Sequence, residues 1–476
     1  MTVFLRRGTE TFRWDIARSS QRPPNLAPPR WALVESLWDF LSLTPLEGSE
    51  ADASSALAVP EDWIDVTLAG LRSVRIPRSS ATTHCEVAAE SRGTSLCLVV
   101  PDHTRPGPWC SVLPELLERV AAETDYDTLT LLVATGTHPP IASEQALSHL
   151  DSLTETSRLA WSVEQNSDGG FVRHRPVGET GRGTPISLHP TYLDADVRIL
   201  FGEMSYHYFA GFGGGPKLVF PGLGEPEGAR RNHLLALVAE GEKSSWQRNC
   251  RVGELADNPV HLDLLEAARS HPPDWVVTAV PVPTLDADPS VPPPPRVEIV
   301  QGTFPESYFL AAETFDATHR VEFTQRPDNL IVDAGGAPRD DTFLQAHKSL
   351  QAARNFVRSG GRILLVASCA DGWGSADLAA RASESDASVT ESSASTIPSP
   401  SPSSMHRQTL VALLDVLSHC RVGLWSELLP AEVRSLGMIP LGSEDEARAW
   451  VADSGRWGWL PRAERFRPAE GWLGGA

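Results

Sequence analysis

Positive charge is what this chain has too little of: 41 Lys and Arg stand against 61 Asp and Glu, a formal net charge of -20 over 476 residues. Such a balance disfavours gripping nucleic acid or an acidic bilayer by whole-protein charge. A small anion would have to be drawn in by a local cationic pocket. Cysteine is sparse and badly spaced. The six (Cys85, Cys97, Cys110, Cys250, Cys369 and Cys420) form no CxxC pair and no ladder of short spacings, which argues against a zinc knuckle or a disulfide framework and for a reduced, cytoplasmic protein. Long apolar runs are missing too. Met1 to Arg7 leads into polar residues without the apolar stretch of a leader, and no run is long enough to span a bilayer. No nucleic acid and no membrane is expected among the partners.

A further absence lies where the chain comes nearest to a nucleotide motif. The stretch Tyr206 to Lys217, with Gly211, Gly213, Gly214 and Gly215, ends on a lysine as a phosphate loop does. A phosphate loop needs Gly directly before that lysine and Ser or Thr directly after it, for backbone N–H groups and a magnesium ligand. Here those places hold Pro216, which has no N–H, and Leu218, which cannot ligate a metal. The glycines serve something else.

Length and pattern set the expected architecture. A chain this long, 41% hydrophobic, is expected to pack as two units. Short apolar, β-rich runs recur and polar residues follow each. Ser95 to Val100 precedes Asp102 and Arg105; Thr128 to Val133 precedes His138; Val197 to Phe201 precedes His207; Asn329 to Val332 precedes Gly335-Gly336. Each reads as a buried strand delivering polar groups at its carboxyl end, where open α/β sheets gather ligands. Helical patterns at Cys110 to Glu123, Asn258 to Ser270 and Leu344 to Ser359 alternate with them, which predicts an α/β fold with largely parallel sheets. A junction near Tyr308 to Arg320 divides the chain into 1–314 and 315–455, with 456–476 as a tail. Pro281 to Pro295 reads as a loop between strands. Ala382 to Ser404, almost all Ser, Ala, Thr, Pro and acid, has too little apolar surface to offset its ordering entropy and reads as a mobile insertion. The first sixty residues carry no legible motif.

Five segments in order carry a family resemblance: Pro101-Asp102-His103-Thr104-Arg105-Pro106, Ala134-Thr135-Gly136-Thr137-His138-Pro139, Tyr206 to Lys217, Arg231-Asn232-His233, and Gly335-Gly336-Ala337-Pro338 through Gln345 and Lys348. Together they resemble the nickel-dependent lactate racemase family. The resemblance implies two α/β domains with the active site in their cleft. It also implies a nickel-pincer nucleotide (pyridinium-3-thioamide-5-thiocarboxylic acid mononucleotide) joined covalently to Lys217, with His233 as the remaining nickel ligand. Imidazole suits nickel, and sulfur donors with one nitrogen favour a planar four-coordinate site. The plainer reading of His233, in the helical pattern Ala229 to Ala239, is an ordinary helix-surface histidine. Gly213, Gly214 and Gly215 would let backbone approach the cofactor closely, or would simply make a flexible turn. Enzymes that mature the cofactor, namely a carboxylase/hydrolase, a sulfur transferase and a nickel inserter, are implied as partners.

Inverting a 2-hydroxy acid is demanding because the carbon-bound hydrogen beside a carboxylate is very weakly acidic. Removing it as a hydride while a base takes the hydroxyl proton gives a planar keto acid that can be reduced from either face. This calls for a hydride acceptor, bases on both sides and cations for the carboxylate. An imidazole can accept and return a proton near neutral pH; by resemblance His138 and His207 are the acid/base pair. Arg105, Gln345 and Lys348 look like the substrate-binding set, guanidinium gripping a carboxylate bidentately and ammonium acting as a point charge. Asp102, three residues from a cation that would hold it ionised, is expected to orient Arg105 or the cofactor.

Departures from the family pattern put lactate itself in question. Pro216 stands where an arginine commonly precedes the lysine, Leu344 where a tyrosine commonly precedes the glutamine, and Trp373 is a candidate replacement for a missing aromatic in the cleft. The expected activity is racemisation or epimerisation of a 2-hydroxy acid. Two rivals stand beside it: oxidation of an alcohol or 2-hydroxy acid with the same cofactor, and a non-catalytic nucleotide-binding protein on the same fold.

Overall fold

The computed structural model describes residues 2–15, 62–74, 94–102, 104–105, 109–138, 140, 160–240, 243–282, 296–321, 326–383, 407–452, 457–460 and 462–469. Two α/β units fill it. The first is built on a six-stranded sheet of β1 (Ser95–Pro101), β2 (Thr128–Ala134), β3 (Ala160–Gln165), β4 (Val197–Glu203), β5 (Trp275–Val282) and β6 (Arg296–Gly302). Their order across the sheet is 3-2-1-4-5-6, all parallel except for the antiparallel pair β5/β6. The order reverses between β1 and β4, the place where doubly wound sheets open a crevice beyond their strand ends.

These strands are apolar throughout because both faces are covered. Leu96, Leu98 and Val100 of β1 pack with the helices Trp63–Ser73 and Trp109–Glu123, while the alternate residues Cys97 and Val99 pack against the helix Pro259–Ser270 on the other side. The period of two along a strand thus splits one run of sequence between two cores.

The second unit carries a parallel sheet of β7 (Asn329–Asp333), β8 (Arg362–Val366), β9 (Arg421–Trp425), β10 (Ile439–Leu441) and β11 (Trp457–Trp459), ordered 10-9-8-7-11. Leu330 and Val332 face the helices Phe343–Ala353 and Arg407–His419, and Ile331 faces the opposite cluster with Trp425 and Trp459.

Several boundaries differ from the sequence reading. The helix Glu306–His319 runs through the expected 314/315 junction and packs Tyr308, Ala312 and Phe315 against Met204 and Val280 of the first unit. The tail expected from 456 onward is part of the second unit: Trp457–Trp459 is a strand of its sheet, and Arg467–Pro468 pairs with Arg320–Val321. The amino terminus also belongs there. The hairpin of Thr2–Arg7 with Glu10–Asp15 buries Leu5 against Ile331 and Leu364, and Asp340 accepts a 2.7 Å hydrogen bond from the Gly8 amide. Leu5→Ala would cost about 2–5 kcal/mol, the usual range for a leucine removed from a closed core. The helix expected over Leu344 to Ser359 ends at Ala353, and that over Ala229 to Ala239 is Pro226–Leu234 followed by the strand Leu237–Glu240. Residues 283–295 and nearly all of the Ser-rich segment (384–406) lie outside the described residues, although the antiparallel strands flanking the former are those of a hairpin.

Candidate active site

The carboxyl ends of both sheets face one cavity of about 330 Å³, lined by Asp102, Arg105, His138, His207, Gly213, Gly214, Lys217, His233, Gln345 and Lys348. Ten of the eleven expected site residues thus share one space. Gly215, the eleventh, is buried beside it. With φ of +50° and the Tyr308 ring where a β-carbon would stand, position 215 takes no larger residue.

β1 delivers Asp102 and Arg105; β2 and β4, its two neighbours in the sheet, deliver His138 and His207 on either side. Asp102 is 4% exposed, and its Oδ2 lies 2.5 Å from His138 Nδ1 while Oδ1 accepts from the Thr104 hydroxyl at 2.7 Å. Burial alone would push this carboxyl upward, but the His138 hydrogen bond and charge, with Arg105, overcome it and hold the group well below the usual carboxylate range. Its side chain is joined to His138 and, through the Thr104 hydroxyl that accepts from Arg105 Nη1 at 2.9 Å, to Arg105 as well. With Nδ1 donating to a carboxylate, Nε2 of His138 is left as the basic atom.

His207 sits on the short strand Tyr206–His207, paired with Gly211–Phe212. The Ala210 amide donates to its Nδ1 at 3.2 Å, so the single proton of the neutral ring resides on Nε2. Burial, then the charges of Lys217, Lys348, His233 and Arg105, hold its pKa well below the ordinary value. The preceding tyrosine is braced from outside the motif: Tyr206 Oη donates to Asp316 at 2.8 Å, and Asp316 is clamped by both Arg467 Nε and Nη2. Nothing in the spacing of residues 206, 316 and 467 announced this brace, which ties the first unit to the end of the second.

Phe209 was also missed, being an apolar residue inside a motif read for its polar ones. Its ring, 3% exposed, lies 4.4 Å from His207, 5.0 Å from His233 and 5.7 Å from the Lys217 ammonium. The loop Gly213–Gly215 leads into the one-turn helix Pro216–Val219, whose Lys217 amide donates to Gly214. Burial and the Arg105 charge bring the Lys217 amine down to about 7, so that much of it is neutral and nucleophilic near neutral pH.

Gln345 and Lys348 stand three apart on the helix Phe343–Ala353 and share its cavity face. Lys348 Nζ donates to Gln345 Oε1, and Arg105 Nη1 approaches the same oxygen at 3.4 Å. Burial and the charges of Arg105 and Lys217 hold Lys348 well below the ordinary lysine range, against the opposing pull of Asp102 and Glu464. Trp373, by contrast, does not line the cavity: it packs on Phe343 in the second core and donates to Glu432 at 3.0 Å. Its apolar neighbours win because β8 and the Phe343–Ala353 helix close over it. Among the described residues no three His, Cys, Asp or Glu converge as a metal cage, and no helix is long and apolar enough to cross a membrane.

Comparison with known proteins matches residues 75–245 to the lactate racemase N-terminal domain and residues 323–451 to the lactate racemase C-terminal domain. The chain belongs to the lactate racemase family. Among curated relatives, the lactate racemase of Thermoanaerobacterium thermosaccharolyticum is 25% identical over 281 residues, and that of Lactiplantibacillus plantarum 28% identical over 291. Each match covers 59% of this chain and 61% of the relative's length. In fold, the chain is similar to the lactate racemase apoprotein of T. thermosaccharolyticum (TM-score 0.66, 19% identity, 99% of this chain and 100% of that one) and to a Thermotoga maritima protein (TM-score 0.52, 15% identity, 79% and 93%).

Proposed function

We propose that this protein racemises or epimerises a 2-hydroxy acid with a nickel-pincer nucleotide joined to Lys217. The observation that carries the reading is the convergence of Lys217, His233, His138, His207, Arg105 and Lys348 on one cavity from five separate segments of the sequence. The residues fit the group. Lys217 has the depressed amine that an acyl linkage needs, the glycine turn brings bare backbone alongside, and Phe209 sets His233 near the lysine. Lys217 would carry the covalent bond, His233 would ligate the metal, and Gly213 and Gly214 would face the ring. When bound, the group supplies the hydride acceptor that the side chains lack.

The chain's own part is electrostatic and acid/base. Arg105 and Lys348, which line the cavity with Lys217, hold the substrate carboxylate, each charge-assisted hydrogen bond being worth about 1.5–3 kcal/mol. Gln345 fixes both cations through one oxygen. Nε2 of His138 accepts the hydroxyl proton and, as an imidazolium held by Asp102, can return it, while the neutral His207 donates a hydrogen bond from Nε2–H to the substrate oxygen on the other side of β1. Maturation enzymes that make and insert the nucleotide are part of this proposal.

The test is intact and peptide mass spectrometry, with nickel analysis, on protein co-expressed with such enzymes. A mass increment on the Lys217 peptide together with nickel supports the reading; an unmodified Lys217, where a known lactate racemase becomes loaded, overturns it. Incubating the loaded protein with one enantiomer then separates racemisation, which yields the mirror image, from net oxidation, which accumulates keto acid.

A further inference from the structure

His207 stands on a piece of chain too small to hold it. The strand Tyr206–His207 pairs with Gly211–Phe212 over two residues on each side, and a two-stranded ribbon of that length has little stability of its own. The residues before and after His207 both reach the second unit. Tyr206, 6% exposed, packs on Phe212 and Phe315 with ring centres 5.3 and 4.9 Å away, and its hydroxyl donates to Asp316. Arg467, from the end of the second unit, grips both oxygens of that carboxylate, a fork that fixes direction as well as distance. Gly253 makes room for it: a β-carbon there would stand 2.7 Å from Arg467 Nε, and the Gly253 amide donates to Gly211 of the ribbon at 3.0 Å.

Tyr208 holds the other flank. Its ring lies nearly parallel to that of His207 (5.4 Å, 13°) and to that of Trp246 (6.1 Å, 16°), and Trp246 is pinned by its Nε1 donating to the Cys250 carbonyl at 2.9 Å. From the second unit, His347 meets the Tyr208 ring edge-on at 5.1 Å, and Thr409 hydrogen-bonds with its hydroxyl. His347 is 1% exposed and sits between Gln345 and Lys348 on the helix Phe343–Ala353, its Nδ1 donating to the Leu344 carbonyl at 2.6 Å. The helix that offers Gln345 and Lys348 to the cavity therefore also bears on His207 through Tyr208.

We propose that Tyr206 and Tyr208 are positioning residues for His207: they take its alignment from the second unit, so that this ring and the Gln345–Lys348 pair meet one substrate in fixed register. The inference rests on the role given to His207 under the proposed function. Both tyrosines border the cavity, but each hydroxyl is engaged within the protein, by Asp316 or by Thr409. Alignment matters because a displacement of about 1 Å at a reacting group can cost on the order of a hundredfold in rate.

Tyr206→Phe, Arg467→Met and their double variant remove one brace, and Tyr208→Phe weakens the other. In unloaded, histidine-labelled protein, proton NMR reads the His207 ring, assigned by the loss of its signals in His207→Ala. The His207 signals are expected to move in Tyr206→Phe, Arg467→Met and Tyr208→Phe. In loaded protein, Tyr206→Phe should lower kcat about tenfold, near the worth of a hydrogen bond to a charged group, and Tyr208→Phe about threefold, with KM little changed. Enantiomer preference should shift in the direction seen in His207→Ala, a signature that general loosening of the fold does not give. The double variant should lose no more than the worse single one, because Tyr206 and Arg467 act through the same carboxylate. Unmoved His207 signals, equal losses for both enantiomers, or additive losses in the double variant overturn the inference. A rise in KM with kcat kept assigns the tyrosines to substrate binding and overturns it too. Should Arg467→Met fail to fold, Tyr206→Phe, which deletes one oxygen, decides alone. A loaded wild type that inverts no 2-hydroxy acid sinks the racemase reading, and the NMR comparison still decides the alignment.

Discussion

His138 and His207 stand on either side of β1, yet their surroundings are opposite in sign. His138 has a buried carboxylate, Asp102, on its Nδ1; His207 has a backbone amide on its Nδ1 and four cationic or basic neighbours. One ring therefore offers a bare Nε2 to the cavity and the other an Nε2–H. The contrast teaches that a pair of like residues can be set as a base and a neutral hydrogen-bond donor by second partners alone, with no difference in residue type.

The largest expected effect tests that contrast directly. His138→Ala and His207→Ala in the loaded protein should each lower turnover by about 10²–10⁴, the usual worth of a positioned acid or base, with the more damaged substrate hand differing between the two. Equal losses for both hands in both variants, measured by chiral chromatography from each enantiomer, would break the comparison. Next comes Asp102→Asn, which keeps the shape and removes the charge. It should cost roughly 10–100-fold, the worth of one hydrogen bond to a charged group, and should move the pH profile for the His138-dependent hand only. A uniform loss at every pH would mean that Asp102 merely supports the loop.

Smaller effects concern protonation before any cofactor is bound. Lys217 should react with an amine-acylating reagent with a midpoint near pH 7, read by peptide mass spectrometry, where exposed lysines follow their ordinary high range. Arg105→Met removes the second cause of that shift and should move the midpoint upward. In proton NMR the His207 ring should stay neutral well below the ordinary histidine midpoint and rise toward it in Lys217→Met. Least local is stability. Burial, opposed at His189 by Glu164 and joined by Lys217 at His261 and Arg465 at His319, brings His189 and His261 down to about 4 and His319 to about 3. These values lie below the ordinary 6.5, so the unfolded chain takes up protons that the folded one refuses. Stability is full above about pH 6.5 and falls as pH drops from there toward 4, by up to roughly 3 kcal/mol for each histidine. Denaturant melts that show no loss across this window would contradict the assignment.

Much of the site was legible in the sequence because open α/β sheets place function at strand ends, and strand ends follow apolar runs. Asp102, Arg105, His138 and His207 follow such runs, whereas Gln345, Lys348, Lys217 and His233 were singled out by the family resemblance, and the cavity brings all of them together. What stayed hidden has a physical reason in each case. Phe209 is apolar, and no pattern separates a ring that gathers His207, Lys217 and His233 from one that only fills a core. Tyr206, Asp316 and Arg467 meet across 110 and 151 residues of chain, a separation at which local spacing says nothing. Trp373 looked like a cleft residue for its position after a strand, but β8 and its covering helix leave it in the core.

The sequence by itself determined the class of fold, the strands and the list of groups able to do chemistry, because hydrophobic period and residue type are local properties of the chain. Only the tertiary structure decided which of those groups are partners. The strand order 3-2-1-4-5-6 puts β2 and β4 on the two sides of β1, and that order, which is a matter of how sheet faces are buried, sets one histidine against a carboxylate and the other among cations. The amino-terminal hairpin joins the second sheet for the same reason: Leu5 finds its dry contact with Ile331 and Leu364, more than three hundred residues away.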